Sequence, residues 1–192
     1  MVDTPGETIR AFVALDLDST SLRRVARVAD RLRLGSGAPS ASWVAPSAMH
    51  ITLKFMGELA TAAVTPLADA LRPLVEGRTA PNACSFCLAA FPNVAEAHVI
   101  IAELQDSGGE LAKLAGRVGA IARALGIQGD ERTFKPHVTL ARLKRSYDAR
   151  RWLRVELAKG AGECRAASLT LFRSELGSGG ARHLPLARFV FS

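Results

Sequence analysis

His50-Ile51-Thr52-Leu53 and His137-Val138-Thr139-Leu140 are two closely matched segments in a chain of 192 residues. Each alternates polar and aliphatic residues, which is the pattern of a β-strand with one face in a core. Because successive strand residues point to opposite faces, each histidine shares a face with the threonine two residues later. The repeat therefore predicts two strands that each present an imidazole and a hydroxyl, and it indicates a pseudo-twofold fold with one motif in each half.

Hydrophobic periodicity around the two segments predicts strands that alternate with helices. The predicted strands span residues 8–17, 42–44, 49–56, 83–91, 97–104, 137–143, 165–174 and 183–191. The predicted helices lie between the capping residues 18–20 and Gly35, and over about 59–76, 108–125 and 148–159. Short links between neighbouring strands favour antiparallel pairing, with helices over one face. We therefore expect an α+β fold, and, because no linker or low-complexity tract interrupts the chain, a single domain over residues 1–192.

Two histidines on facing strands suit the cleavage of a phosphodiester. Imidazole titrates near pH 6.5, so one ring can be neutral while the other is protonated. The neutral ring of such a pair takes a proton from water, and the protonated ring gives one to the leaving ribose oxygen. This chemistry makes His50 and His137 the candidate catalytic residues. The alternative is that each histidine is only a half-buried strand residue, but a matched pair of motifs is hard to explain in that way.

The threonines and nearby cations are candidates for holding a phosphate. The hydroxyls of Thr52 and Thr139 can bind the non-bridging phosphate oxygens and stabilise developing charge. Arg142, Lys54 and Lys135 add positive charge close to the motifs in the sequence. These three cations are equally well explained as a solvated basic rim.

Metal, thiol and nucleotide-driven chemistry receive little support from the sequence. Catalytic zinc takes three protein ligands, and neither motif has a further histidine, aspartate or cysteine at ligand spacing. Cys84-Ser85-Phe86-Cys87 has the spacing of half a zinc site or a redox motif, but it fits buried or edge-strand cysteines better because no second such pair exists. Serine-elbow and phosphate-loop motifs are both absent from the sequence. We expect neither a metal nor a cofactor.

Composition and charge narrow the class of protein further. The formal net charge is +7 with a pI near 10, which favours polyanionic partners but is weak support for nucleic-acid binding by itself. No apolar run approaches the roughly 20 residues that a membrane helix needs. Three cysteines, an odd number, argue against a disulfide framework. Residues 1–7 read as a short leader without signal-peptide features. We expect a cytoplasmic monomer that does not bind membranes.

The motif regions resemble the two-histidine phosphoesterase superfamily. Within it, the chain is similar to the RNA 2′,3′-cyclic phosphodiesterases, which are also named 2′-5′ RNA ligases. The resemblance covers nearly the whole chain and is carried by residues 10–16 (Arg-Ala-Phe-Val-Ala-Leu-Asp), 43–46 (Trp-Val-Ala-Pro), 50–58 (His-Ile-Thr-Leu-Lys-Phe-Met-Gly-Glu), 134–142 (Phe-Lys-Pro-His-Val-Thr-Leu-Ala-Arg) and 169–176 (Leu-Thr-Leu-Phe-Arg-Ser-Glu-Leu).

This resemblance implies a bilobal fold in which two antiparallel sheets line a central cleft, with the helices outside. It implies metal-independent opening of RNA or nucleoside 2′,3′-cyclic phosphates, commonly to a 2′-phosphate end, and weak ATP-independent 2′-5′ ligation. The histidine and threonine roles carry over to His50, Thr52, His137 and Thr139, and Arg142 carries over as a substrate contact. The implied partners are RNA with cyclic phosphate ends or cyclic nucleotides.

Two positions depart from the family pattern. His183 lies where family members often have a tyrosine, and residues 91–99 lack the arginine expected before the following strand. Both positions concern substrate preference rather than chemistry. Two alternatives therefore stay open: a phosphodiesterase for another small cyclic nucleotide, and a module that binds nucleotides or RNA ends without turnover.

Overall fold

The computed structural model describes residues 6–35, 39–82, 84–157, 162–177 and 180–192, which form nine strands and four α-helices. The strands are β1 (Thr8–Leu17), β2 (Ala41–Trp43), β3 (His50–Ala60), β4 (Cys84–Phe91), β5 (Ala97–Leu104), β6 (His137–Tyr147), β7 (Glu163–Cys164), β8 (Ala166–Gly177) and β9 (Gly180–Val190). The helices are α1 (Ser19–Leu34), α2 (Val64–Leu71), α3 (Glu110–Ala124) and α4 (Arg150–Leu157), with short 3-10 helices at Pro46–Ala48, Thr61–Ala63 and Arg72–Leu74. The predicted α+β class is confirmed.

All strand pairs are antiparallel, and the order across the sheet is β7-β4-β5-β6-β3-β1-β8-β9, with β2 beside β6. The two motif strands, β3 and β6, stand side by side at the middle of this order. Within the described part of the chain these two strands pair through Ile51 and Val138 alone, because β2 occupies the edge of β6 farther along. Two antiparallel halves therefore meet at the motifs, as the pseudo-twofold repeat predicted.

One face of the sheet carries the main hydrophobic core. Val13, Leu15 and Ile51 from the first half belong to the same buried cluster as Val138 and Leu140 from the second. Helix side chains complete this cluster, among them Val25 and Leu32 of α1, and Leu111 and Val118 of α3. The opposite face of β1 holds a second, small cluster formed by Phe12, Ala14 and Phe172. β1 is therefore buried on both faces, which explains its nearly continuous apolar sequence.

Helix boundaries follow local capping where the sequence supplies it. The Asp18 carboxylate accepts a hydrogen bond from the backbone of Ser21 at 2.6 Å and so begins α1, while Gly35 follows its last residue. The helix predicted over 59–76 is shorter than expected because β3 continues to Ala60, leaving only residues 64–71 in α-helical form. Pro66 falls in the first turn of α2, where its missing N–H removes no helical hydrogen bond.

Strand ends were harder to predict than strand centres. β6 was expected to end at residue 143 but continues to Tyr147 through the exposed Lys144 and Arg145. β7 was not predicted, because two residues are too short to show a period. Charged or very short stretches become strands through hydrogen bonds to a neighbour, which single-sequence periodicity does not report.

The cysteines lie in the sheet. Cys84 and Cys87 occupy β4 three residues apart, so their side chains point to opposite faces. Cys84 is buried opposite Cys164 of β7, and Cys87 is half-buried beside Gln105. This placement agrees with the prediction of buried or edge-strand cysteines.

Parts of three sequence predictions lie outside the described residues. They are residues 1–5 of the leader, residue 83 of the strand predicted over 83–91, and residues 158–159 of the last helix. Within the described ranges no helix is both long enough and apolar enough to cross a lipid bilayer.

Candidate active site

The two histidine motifs lie directly against each other. Ile51 pairs with Val138 across the β3–β6 junction, and both side chains are buried in the main core. In an antiparallel junction of this kind, His50 lies on the side of Thr139, and Thr52 lies on the side of His137. All four polar side chains are half-buried and lie on the strand face opposite Ile51 and Val138, and the charge of His137 acts on His50.

The His137 ring has a defined orientation. Its Nδ1 lies 2.7 Å from the carbonyl oxygen of Lys135, and the Phe91 ring stands perpendicular to it with centroids 5.0 Å apart. Because a carbonyl can only accept a hydrogen bond, Nδ1 carries the hydrogen in the neutral ring, which leaves Nε2 free to exchange a proton. Burial lowers the pKa of His137, Arg142 lowers it further, and the Lys135 carbonyl and Glu103 act in the opposite direction.

The His50 ring lies in an aromatic pocket. It stacks on Phe12 at 5.0 Å between centroids, and His183 approaches it edge-on at 5.3 Å. Burial, followed by the charge of His183, lowers the pKa of His50 to about 4, although a hydrogen bond to the backbone of Ala48 and the charge of Asp16 raise it. Burial disfavours the imidazolium in both motifs.

The surroundings of the two histidines repeat across the junction. Asp16 on β1 lies opposite His50, and Glu103 on β5 lies opposite His137. Both rings also interact with the backbone two residues earlier in the chain. Each half thus supplies an acidic cross-strand residue and a backbone contact at its histidine, which extends the predicted duplication from the sequence motif to these neighbours.

A β-bulge brings Arg142 to the histidine face. Thr139 and Ala141 pair with the consecutive residues Ile101 and Ile100 of β5, so Leu140 is an extra residue in β6. Leu140 and Ala141 are both fully buried, whereas Arg142 is exposed. Arg142 lies five residues after His137, and strict alternation would have placed it on the core face. Burial lowers the pKa of both His137 and His183, and the charge of Arg142 lowers both further.

The two lysines predicted near the motifs lie at the edges of this group. A second bulge, at Leu53, precedes Lys54, whose ammonium donates a hydrogen bond to the carbonyl oxygen of Asp130. Lys135 is exposed, with its Nζ 5.9 Å from the centre of the Phe91 ring. Lys54 is therefore hydrogen-bonded to the loop after α3, and Lys135 lies beside Phe91 at the edge of the histidine group. Of the three cations, Arg142 is the one whose charge lowers the pKa of His137.

Sequence reasoning did not identify several neighbours of His50. In the sequence, Phe12 and Asp16 belong to the strand that resembles the family, and Phe172 belongs to its closing pattern. The spacing of Phe12, Ala14 and Asp16 places all three on one face of β1, a signal that was available in the sequence. His183 was noted as a departure from the family. Its ring centroid lies 4.9 Å from that of Phe12, and its buried Nδ1 has no hydrogen-bond partner among the described residues.

No group of three or more histidine, cysteine, aspartate or glutamate side chains is arranged to hold a metal ion in the described part of the chain.

Known proteins resemble the chain in sequence across both motifs. A family profile described as LigT like Phosphoesterase matches residues 15–84 and 103–183, which include both motifs. A protein of Archaeoglobus fulgidus named RNA 2′,3′-cyclic phosphodiesterase is 33% identical over 138 residues, or 71% of this chain and 74% of its own length. A protein of the same name from Methanothermobacter thermautotrophicus is 28% identical over 171 residues, or 88% of this chain and 91% of its own length.

Solved structures share the fold over nearly the whole chain. TT0787 of Thermus thermophilus has a TM-score of 0.73 and 24% identity, and the alignment covers 95% of this chain and 98% of that one. E. coli LigT complexed with 3′-AMP has a TM-score of 0.68 and 20% identity, with 97% and 99% covered. The chain therefore belongs to the LigT-like phosphoesterase family, as its motifs predicted, and it is a phosphodiesterase enzyme.

Proposed function

We propose that the protein hydrolyses RNA or nucleoside 2′,3′-cyclic phosphates to 2′-phosphate ends without a metal, with His50 and His137 as the general acid–base pair. The observation that carries this proposal is the Ile51–Val138 pair, because it joins the two motif strands with their histidines and threonines on the face opposite the core. Two imidazoles and two hydroxyls around one point suit a single phosphate group.

Each proton in the proposed reaction has a defined route. The neutral imidazole takes a proton from water as the water oxygen bonds to phosphorus. The P–O3′ bond breaks, and the protonated imidazole gives its proton to the departing O3′. The products are a 2′-phosphomonoester and a 3′-hydroxyl, and the histidines end in exchanged protonation states. Such transfers contribute about 10²–10⁴-fold each.

The threonines and Arg142 hold the phosphate in this proposal. Hydroxyl donors from Thr52 and Thr139 bind the non-bridging oxygens, whose charge grows as the bond to water forms. Arg142, which reaches the histidine face through the β6 bulge, supplies a fixed positive charge. These donors stabilise the negative charge on the phosphate, which is part of what a metal ion would do in a metal-dependent enzyme.

The substrate assignment is supported by the relatives. The Archaeoglobus and Methanothermobacter proteins are both named RNA 2′,3′-cyclic phosphodiesterase, and E. coli LigT was crystallised with 3′-AMP. The net charge of +7 favours an RNA chain as the polyanion that carries the cyclic end. We further propose that residues 1–192 act as one domain and as a cytoplasmic monomer.

Weak ligation follows from the same chemistry. If the 5′-hydroxyl of a second RNA replaces water, the phosphate becomes a 2′-5′ linkage and no ATP is needed, since the cyclic phosphate supplies the energy. The alternative substrates are other small cyclic nucleotides, favoured by His183 at a position where the family often has tyrosine. A binding module without turnover would not need the second histidine.

An assay of 2′,3′-cyclic AMP and of RNA with a cyclic phosphate end, with and without EDTA, tests the proposal. We expect hydrolysis of both, unchanged by EDTA, with the phosphate found on the 2′ oxygen by ³¹P NMR. Loss of activity in EDTA and recovery with zinc would contradict the metal-free reaction. Turnover of a different cyclic nucleotide alone would favour the second candidate, and binding without turnover would favour the third.

A further inference from the structure

Asp16 is held in one position beside His50. In the β1–β3 register it lies directly opposite the histidine. Its Oδ2 accepts hydrogen bonds from Ser168 Oγ at 2.7 Å and Thr170 Oγ1 at 2.6 Å, and it forms an ion pair with Arg188 at 3.2 Å. Thr170 is completely buried, and the Asp16 side chain is only 22% exposed. Three donors from two strands therefore fix a carboxylate on the histidine face.

His50 has a particular need for a nearby negative charge. Its ring contacts Phe12 and lies 5.8 Å from Phe172, so its surroundings are largely apolar. Whether it acts as acid or base, it carries a positive charge during one stage of the proposed reaction. His183, Asp16 and His137 are the side chains whose charges act on it most, and only Asp16 among these three is negative.

We propose that Asp16 is a positioning residue for His50, and that its fixed carboxylate stabilises the His50 imidazolium during proton transfer. The inference rests on the proposed function, since it assumes that His50 takes or gives a proton. The Ser168 and Thr170 hydroxyls hold the carboxylate, and Arg188 moderates its charge. Asp16 acts through His50 and not on the phosphate.

The other half of the fold supplies a matched comparison. Glu103 occupies the same place relative to His137, yet within the described ranges its carboxylate has no hydrogen-bond or ion-pair partner. Glu103→Gln should therefore lower the pKa of His137 and leave His50 unchanged. Asp16→Asn should lower the pKa of His50 and leave the pKa of His137 unchanged.

The test is an NMR titration of the imidazole rings of the full-length chain, with the rings assigned from single histidine variants. Asp16→Asn keeps an oxygen that accepts from both hydroxyls but removes the charge. We expect it to lower the pKa of His50 by up to about one unit and to leave His137 unchanged. In turnover at neutral pH we expect kcat to fall by about tenfold with KM unchanged. Asp16→Glu should recover part of that loss.

Arg188→Gln separates charge from packing. It removes a cation that offsets Asp16, so the pKa of His50 should rise, opposite to the change in Asp16→Asn. A purely structural role would instead let water reach His50 in both variants and raise the pKa in both. The proposal is overturned if Asp16→Asn leaves or raises the pKa of His50, or if it lowers the pKa of His137 equally. If Asp16→Asn does not fold, Arg188→Gln is compared with Arg188→Lys, which keeps the positive charge. The proposal predicts a raised pKa of His50 in Arg188→Gln alone, and an unchanged or lowered pKa in Arg188→Gln or an equal rise in both variants contradicts it.

The ring titration does not depend on turnover. A wild-type chain that hydrolyses no cyclic phosphate would count against the proposed function, whereas the His50 shifts would still report whether Asp16 acts on the ring. The two failures are therefore distinguishable.

Discussion

At the scale of residues, the two imidazoles are held alike but lie in different environments. Both use the backbone two residues earlier as a hydrogen-bond partner. His50 then lies among Phe12, Phe172 and His183, whereas His137 has only Phe91 as an aromatic neighbour among the described residues and senses the charge of Arg142. A symmetric motif thus gives two imidazoles in unequal surroundings, which suits the proposed reaction because it needs one acid and one base.

We predict that His50→Ala and His137→Ala each lower turnover of 2′,3′-cyclic AMP by at least roughly 10²-fold while circular dichroism shows an intact fold. Each variant removes one proton carrier from the face where the motifs meet. The control is His98→Ala, which changes an exposed histidine of β5. If either motif variant kept near wild-type turnover, the two-histidine assignment would be wrong.

We predict smaller losses, about 10–10³-fold in kcat, for Thr52→Ala and Thr139→Ala. Each removes one hydroxyl donor to a phosphate oxygen and leaves both histidines in place. Thr65→Ala, on the exposed surface of α2, is the matched control. A motif threonine variant with unchanged kcat would show that its hydroxyl does not bind the phosphate.

At the scale of elements, the bulges separate what the sequence predicted from what it did not. Alternation placed His50 with Thr52 and His137 with Thr139 correctly, because those residues precede the bulges. Arg142 follows the bulge at Leu140, which reverses its face relative to strict alternation. A bulge depends on how a strand pairs with a neighbour that is distant in the chain, so the residue pattern of one strand does not predict it. The resemblance pointed to Arg142, whereas spacing alone would have placed it on the core face.

The loop after α3 is predicted to support β3 through Gly129. A side-chain carbon at this position would overlap the carbonyl oxygen of Phe55 and meet Cε of Lys54 at 3.0 Å. Gly129→Ala should therefore destabilise the protein by about 1–3 kcal/mol and lower its melting temperature by several degrees. Gly116→Ala, in α3 with nothing within 4 Å of the added carbon, should stabilise it by about 0.5–1 kcal/mol. Equal melting temperatures for the two variants would contradict this role for Gly129.

At the scale of the whole molecule, the site depends on both halves. Ile51 and Val138, the residues between the polar pairs, are 2% and 0% exposed in one continuous core. The histidines are therefore positioned by the packing that holds the halves together. The sequence was enough to predict that the two motifs come together. It was not enough to predict the strand order, because that order depends on contacts between segments distant in the chain.

Burial of His50 should make folding stability depend on pH. Its pKa in the folded state is lowered to about 4, so below pH 6.5 the unfolded chain binds a proton that the folded chain does not. Its contribution is fully present above pH 6.5 and is lost as pH falls toward 4, by at most about 1.4 kcal/mol per pH unit. Denaturant unfolding of wild type and His50→Asn over this range measures the difference. A difference that does not change with pH would show that His50 titrates normally.

The most direct test of two-histidine catalysis is the pH dependence of 2′,3′-cyclic AMP hydrolysis by the wild-type chain in EDTA. Turnover should rise and then fall with pH, and the profile of kcat/KM should lie at lower pH than that of kcat. The free enzyme has lowered histidine pKa values, whereas bound phosphate favours the imidazolium. The two apparent values belong to the coupled pair. A rate that rises steadily through about pH 9 would instead indicate a metal-bound hydroxide or a thiolate, and it would contradict catalysis by His50 and His137.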